Sequence, residues 1–221
     1  MQLPISKRTL AIAGAISLLA ACGGGGDPDQ PTAAQTQPEA SIDDGREKAL
    51  AYTLPVLTAA PAGLPGNVSC TNLRIGAVTV DNVEVPAGMA CRLNGTVVRG
   101  SVQVGPGGIL LAGSAVQVAG SVQGDNAAHV QVTGSASRIG GNYELEGGGS
   151  AALTGVQVGG DVFVNGLTDV IALKNTRVAG GMQVTDNLGG GEINGNRITG
   201  NMQCTGNLTA AQEAGNTEGS M

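Results

Sequence analysis

The side chains able to do chemistry in this chain are few and widely spaced. There are four cysteines (Cys22, Cys70, Cys91 and Cys204), one histidine (His129), and a scatter of acids and arginines. Zinc needs His and Cys ligands at short spacing, and no CxxC or HxxxH occurs, so no metal or other cofactor is expected. No GGxGxDxUx unit repeats either, which removes the usual calcium nonapeptide. Proton transfer on a sugar needs two carboxylates, or an acid and an arginine, on one face. Glu144 and Asp161, with Arg138 or Arg177 nearby, are the residues that approach this pattern. Ser101 and Ser121 lack a base, because His129 falls in a different strand set. No catalytic residue is therefore assigned, and the chain reads as non-enzymatic.

What positions these residues is a ladder of similar phrases: SVQV at 101, SVQG at 121, NYEL at 142, DVFV at 161, GMQV at 181 and NMQC at 201. The glycines before them, Gly100, Gly120, Gly141, Gly160, Gly180 and Gly200, recur every 19 to 21 residues. A fixed period of this size belongs to a stacked solenoid. Val102, Val122, Tyr143, Val162, Met182 and Met202 make one apolar column. Val104, Gly124, Leu145, Val164, Val184 and Cys204 make a second. Gln103, Gln123, Glu144, Phe163, Gln183 and Gln203 lie between, so the period of two predicts a strand with its apolar columns inward. A second strand carries Val98, Val118, Ile139, Val158, Val178 and Ile198 inward. A third, looser strand runs through Leu110, Val130, Ala152, Ile171 and Ile193. Asn82-Val83-Glu84-Val85 aligns with Ser101-Val102-Gln103-Val104 and puts Cys91 in the inward column of Leu111. The expected fold is all-β: a single-stranded, right-handed parallel β-helix of about 20 residues and three short strands per coil.

On this frame Cys70 and Cys91 are 21 residues apart, about one coil. Adjacent rungs near 4.8 Å fall within disulfide reach, so an oxidising compartment would bridge them; otherwise they are two buried thiols. Cys204 reads as a small buried hydrophobe. Arg138, Arg177 and Arg197 share one outward column, either a shallow contact strip for an anionic glycan or a solvated face. The outward Gln column suits amide ladders between coils.

The N-terminus has Lys7 and Arg8, an apolar run from Leu10 to Ala21, then Cys22. The run is too short to span a bilayer but suits a signal-peptide core. Leu19-Ala20-Ala21-Cys22 resembles the lipobox of bacterial lipoproteins, which implies cleavage before Cys22 and acylation of its thiol. Residues 1–21 are then the signal peptide. Residues 22–48, rich in Gly, Pro and Gln, are a flexible tether. Gly23 in place of Asp implies, by the same resemblance, the cell outer membrane, with the membrane itself as partner through the lipid. The mature chain carries 9 Lys plus Arg against 17 Asp plus Glu. An acidic chain with no basic cluster and three aromatic residues is no nucleic-acid binder.

The phrases DNVEVPAGMACRLNGTVVRGSVQV at 81–104 and VAGGMQV with RITGNMQCTGN within 178–207 resemble a group of bacterial secreted and lipoprotein parallel β-helix proteins. In repeat style the chain is more distantly similar to bactofilins, polymer-forming scaffolds. Members of the first group often close with a Cys soon after the QC phrase. This chain ends EGSM without one, so that closing disulfide is not expected. Residues 49–67 are read as an N-terminal cap, 68–206 as the β-helix and 207–221 as a polar tail. The expected role is structural or adhesive, through a repetitive surface that meets an envelope polysaccharide or protein, with the rod monomeric. The alternatives are a polysaccharide-processing β-helix enzyme and a bactofilin-like self-assembling scaffold.

Overall fold

The alternation of the repeated phrase builds the first of three parallel sheets. The computed structural model describes residues 54–64, 66–208 and 212–219. The signal peptide, Cys22 and the tether lie outside them. Sheet I contains eight strands, from Asn67–Ser69 to Met202–Thr205, each paired in parallel with the strand one coil on. Val102, Val122, Tyr143, Val162, Met182 and Met202 pair in turn, and all but Met202, on the last rung, are buried. The Gln column between the apolar columns faces out, as the period requires. Sheet III consists of eight strands of two residues, from Thr79–Val80 to Thr217–Glu218, which bury the column from Val98 to Ile198. A parallel β-helix of about 20 residues per coil results, with no helix among the described residues.

Sheet II differs from expectation in strength. It has nine strands and holds the longest ones in the coil, including Ile109–Gly113, His129–Thr133 and Ser150–Thr154. Its outward residues vary, which made it read as the looser strand of the coil. Its inward columns do not: Leu110, Val130, Ala151 and Ile171 align, as do Ala112, Val132, Leu153, Leu173 and Ile193. Cys91 pairs with Leu110 rather than Leu111, one residue from the expected alignment, and so keeps an inward place.

The corners explain the phrase glycines. At Gly160 and Gly180 φ is not positive; a β-carbon there would instead collide with the corner residue one coil back, Asn142 or Asp161. Glycine is therefore needed for close approach. Left-handed residues sit elsewhere, after sheet I strands at Asn126, Gly147, Gly166, Asp186 and Gly206, and after sheet II strands at Gly95, Ser114, Gly134, Gly155, Asn175 and Gly195. The residue after the phrase glycine forms an outer ladder. Oδ1 of Asn82 accepts the N–H of Ser101, the Ser101 hydroxyl oxygen that of Ser121, and the Ser121 hydroxyl oxygen that of Asn142. Oδ1 of Asn142 then accepts from Asp161 and Oδ1 of Asp161 from Gly181. The small polar residues at this position are thus hydrogen-bond acceptors for backbone that the corner would leave unpaired.

Both ends depart from the expected boundaries. Thr58–Ala59, between Pro55 and Pro61, pairs in parallel with Leu73–Ile75, so the cap segment also adds a strand to sheet II. Ala60 and Leu64 pack on the core, which is the covering role expected of it. At the other end Gln212–Ala214 and Thr217–Glu218 extend sheets II and III. Residues read as a polar tail therefore contain a further partial coil. The first coil is short, since Asn67 pairs with Asn82, whereas Val102 pairs with Val122.

Candidate functional site

The short first coil decides where the cysteines meet. Cys70 donates its N–H to the carbonyl of Glu84 at 2.7 Å, which extends the sheet I register and sets it in the inward column of Val85. Cys91 pairs with Leu73 in sheet II. A disulfide joins them across the coil interior with Cα atoms 5.5 Å apart. The bridge links two sheets rather than two rungs of one column. Twenty-one residues exceed this first coil by the step from one sheet to the next. Cys204, 6% exposed, is buried as expected.

Arg138, Arg177 and Arg197 do share one outward column of sheet III, interrupted by Gln157, whose Oε1 accepts from Arg138 Nη2 at 2.7 Å. Glu144 and Asp161 are on sheet I. The expected proximity of acid and arginine therefore does not arise, because the corner at Gly140 and Gly141 turns the two columns onto different faces of the coil.

The outer face of sheet I holds a shallow depression of about 850 Å³, bordered by Glu84, Asp125, Glu144, Glu146 and Asp161, with Phe163 half-buried in its floor. Glu144 accepts from Gln123 Nε2 at 2.8 Å and from Asn142 Nδ2 at 2.7 Å. These bonds hold its carboxyl below the usual range, against a slight burial and the charge of Asp161. A general acid needs the opposite, a raised carboxyl pKa. Asp161 is a rung of the outer ladder, as are Ser101 and Ser121. Residues singled out for chemistry are thus engaged in holding the corner.

His129 has a partner that the sequence did not suggest. Its Nδ1 lies 2.6 Å from the Ser150 hydroxyl and its Nε2 3.3 Å from Gln131 Oε1. The neutral ring accepts the serine O–H at Nδ1 and donates Nε2–H to the glutamine. Burial lowers the histidine pKa, and the Gln131 bond partly opposes this. A Ser–His pair is the arrangement that activates a nucleophile. Here the ring borders a cleft on sheet II but is only 2% exposed and Ser150 is also buried, so the serine hydroxyl is not presented to a substrate and the pair fastens two coils together.

Arg74 and Arg92 were also missed. They face each other on adjacent rungs of sheet II, in a cleft of about 460 Å³ closed on one side by Leu54. The short first coil displaced Arg74 from any repeat-based alignment. Comparison with known protein families, curated proteins and solved structures finds no match for this chain.

Proposed function

We propose that the chain is a non-enzymatic cell-envelope lipoprotein, anchored through Cys22, that presents its β-helical rod for structural or adhesive contact with an envelope polysaccharide or protein. The observation that carries this reading is the Cys70–Cys91 bridge inside the first coil. A buried structural disulfide forms and persists outside the reducing cytosol, where the basic and apolar N-terminus followed by Cys22 would deliver the chain. The closely hydrogen-bonded faces support contact rather than turnover. Polar side chains recur on them at regular intervals, and Glu144, fixed by two hydrogen bonds, is held ionised.

The anchor is tested by fatty-acid labelling and membrane fractionation of the native chain and Cys22→Ala. The native chain should label and sediment with outer membranes, while the variant should be soluble. A labelled or membrane-bound variant would remove the proposed anchor. The five carboxylates around the sheet I depression favour a second reading, a polysaccharide-processing enzyme. Release of reducing or unsaturated ends from envelope glycans, abolished by Glu144→Gln, would favour it.

A further inference from the structure

Three cations among the described residues meet a side-chain partner. Arg99 meets Asp81, Lys174 meets Glu192, and Arg138 donates to Gln157. Arg177 and Arg197 also pair directly, on sheet III; what sets Arg74 and Arg92 apart is the cleft they line. Their side chains project from directly paired positions of sheet II, one rung apart, and no carboxylate borders their cleft among the described residues. Like charges directly opposite on neighbouring strands repel, so the pair costs stability as it stands. That an acidic chain keeps two arginines together, in a concavity with no carboxylate among its described lining, points to an external counter-charge.

We propose that Arg74 and Arg92 form a binding site for an acidic saccharide, its carboxylate or phosphate seated between the two guanidinium groups. A guanidinium offers two parallel N–H donors to an oxyanion, and two groups a rung apart can grip it from both sides. The rest of the cleft suits a sugar carrying that anion. Asn94 and Gln131 supply amides for ring hydroxyls, while Leu54 and Leu111 supply apolar surface for the ring's C–H face. The overall negative charge slows approach, but at physiological salt it is screened beyond roughly 8 Å, so local groups decide affinity. The site gives the adhesive reading a ligand class and rests on that reading for its biological setting.

Calorimetric titration of the full chain in detergent micelles tests the site at physiological ionic strength. The probes are trigalacturonate, its neutral methyl ester and glucose 6-phosphate. The uronate or the sugar phosphate should bind saturably and the neutral ester should not. Arg74→Gln with Arg92→Gln should weaken binding at least about tenfold, the loss expected when hydrogen bonds to a charged group are removed. Arg177→Gln with Arg197→Gln should change it by less than about twofold. Arg74 and Arg92 carry no packing in the core and repel each other, so a slightly raised melting temperature is expected of their glutamine double variant; Arg74→Lys with Arg92→Lys, which keeps the charge and loses the fork, should bind with intermediate strength. Equal binding of uronate and sugar phosphate shows that the oxyanion is what is read, and uronate alone narrows it to a carboxylate. Absent saturable binding, binding of the neutral ester as tightly as the acid, or equal loss in both glutamine double variants would overturn the site. A chain that stays membrane-bound yet ignores acidic sugars would overturn this site and leave the anchor standing.

Discussion

Oδ1 of Asn216 accepts two hydrogen bonds from Asn196, one coil earlier: from its backbone N–H at 3.0 Å and its Nδ2 at 3.1 Å. Asn196 in turn accepts the N–H of Thr176 at 3.0 Å and donates Nδ2 to the Leu173 carbonyl at 2.7 Å. A parallel ladder at another inner corner links Leu167, Asn187 and Asn207. The outer ladder reaches forward to the next coil's backbone, whereas these reach back. Each of the last coils is therefore completed by the one after it, which explains why the chain continues past Cys204.

Asn196→Ala should cost about 2 to 4 kcal/mol, because it leaves the N–H of Thr176 and the carbonyl of Leu173 buried without their side-chain partner. Asn216→Ala, at the half-exposed end, should cost less than half of that. Urea unfolding midpoints of the two variants measure the difference, and equal losses would show that the inner ladder does not depend on depth in the stack.

Val162→Asp puts a carboxylate at a fully buried position in the middle of sheet I and should cost several kcal/mol, enough to unfold the coil around it. Gln183→Ala, exposed on the next coil, should cost less than about 1 kcal/mol. Thermal melts of both separate inward from outward columns, and similar melting temperatures would contradict the register.

The columns of sheets I and III were legible because an inward position tolerates little besides Val, Ile, Leu and Met, and the recurring phrase fixes their phase. The first coil was not legible. It is about five residues shorter than its successors, so an alignment by period misplaces Arg74 and brings Cys70 to the wrong neighbour. Asn187 and Asn196 gave a different difficulty. An asparagine among glycines reads as a turn residue, and only the fold shows that these two point inward and replace the apolar Leu167 and Val156 of earlier coils. His129 occupies an outward position by alternation, so its burial and its bond to Ser150 could not be read from the period.

Stability should fall between pH 7.5 and pH 5 because of His129, the chain's one histidine. Burial lowers its folded pKa below the unfolded value of about 6.5. Above that value both states are neutral and no penalty arises. As pH drops through it the unfolded chain takes up a proton that the folded chain resists, so unfolding is favoured until the folded pKa is reached. His129→Gln should flatten the melting temperature across this window. A profile unchanged by the substitution would assign the pH dependence to other groups.

Reduction of Cys70–Cys91, or Cys91→Ser, should lower stability by about 3 kcal/mol, the loop entropy released when a bridge spanning 21 residues opens. The loss should begin at the N-terminal coils, since the bridge ties sheet I to sheet II there. Hydrogen exchange with and without reductant locates it. Faster exchange confined to residues 67–95 is expected, and uniform acceleration would show that the solenoid unfolds as one unit.

The N-terminal end decides whether rods remain separate. Thr58–Ala59 covers the open edge of Leu73–Ile75, while Ala60 and Leu64 lie on the first rung's apolar residues. Deleting residues 49–67 would uncover both an unpaired parallel edge and apolar surface, the combination that invites pairing with another chain. It would also remove Asn67, the first residue of the sheet I strand Asn67–Ser69, so a milder variant is needed beside it. Leu64→Glu keeps the strand pairing and disrupts only the apolar cover. Light scattering at micromolar concentration should show the native chain monomeric, the deletion strongly associated, and Leu64→Glu intermediate. A native chain that forms filaments would mean that the first rung is not sealed by this segment and would favour the self-assembling scaffold over the solitary rod.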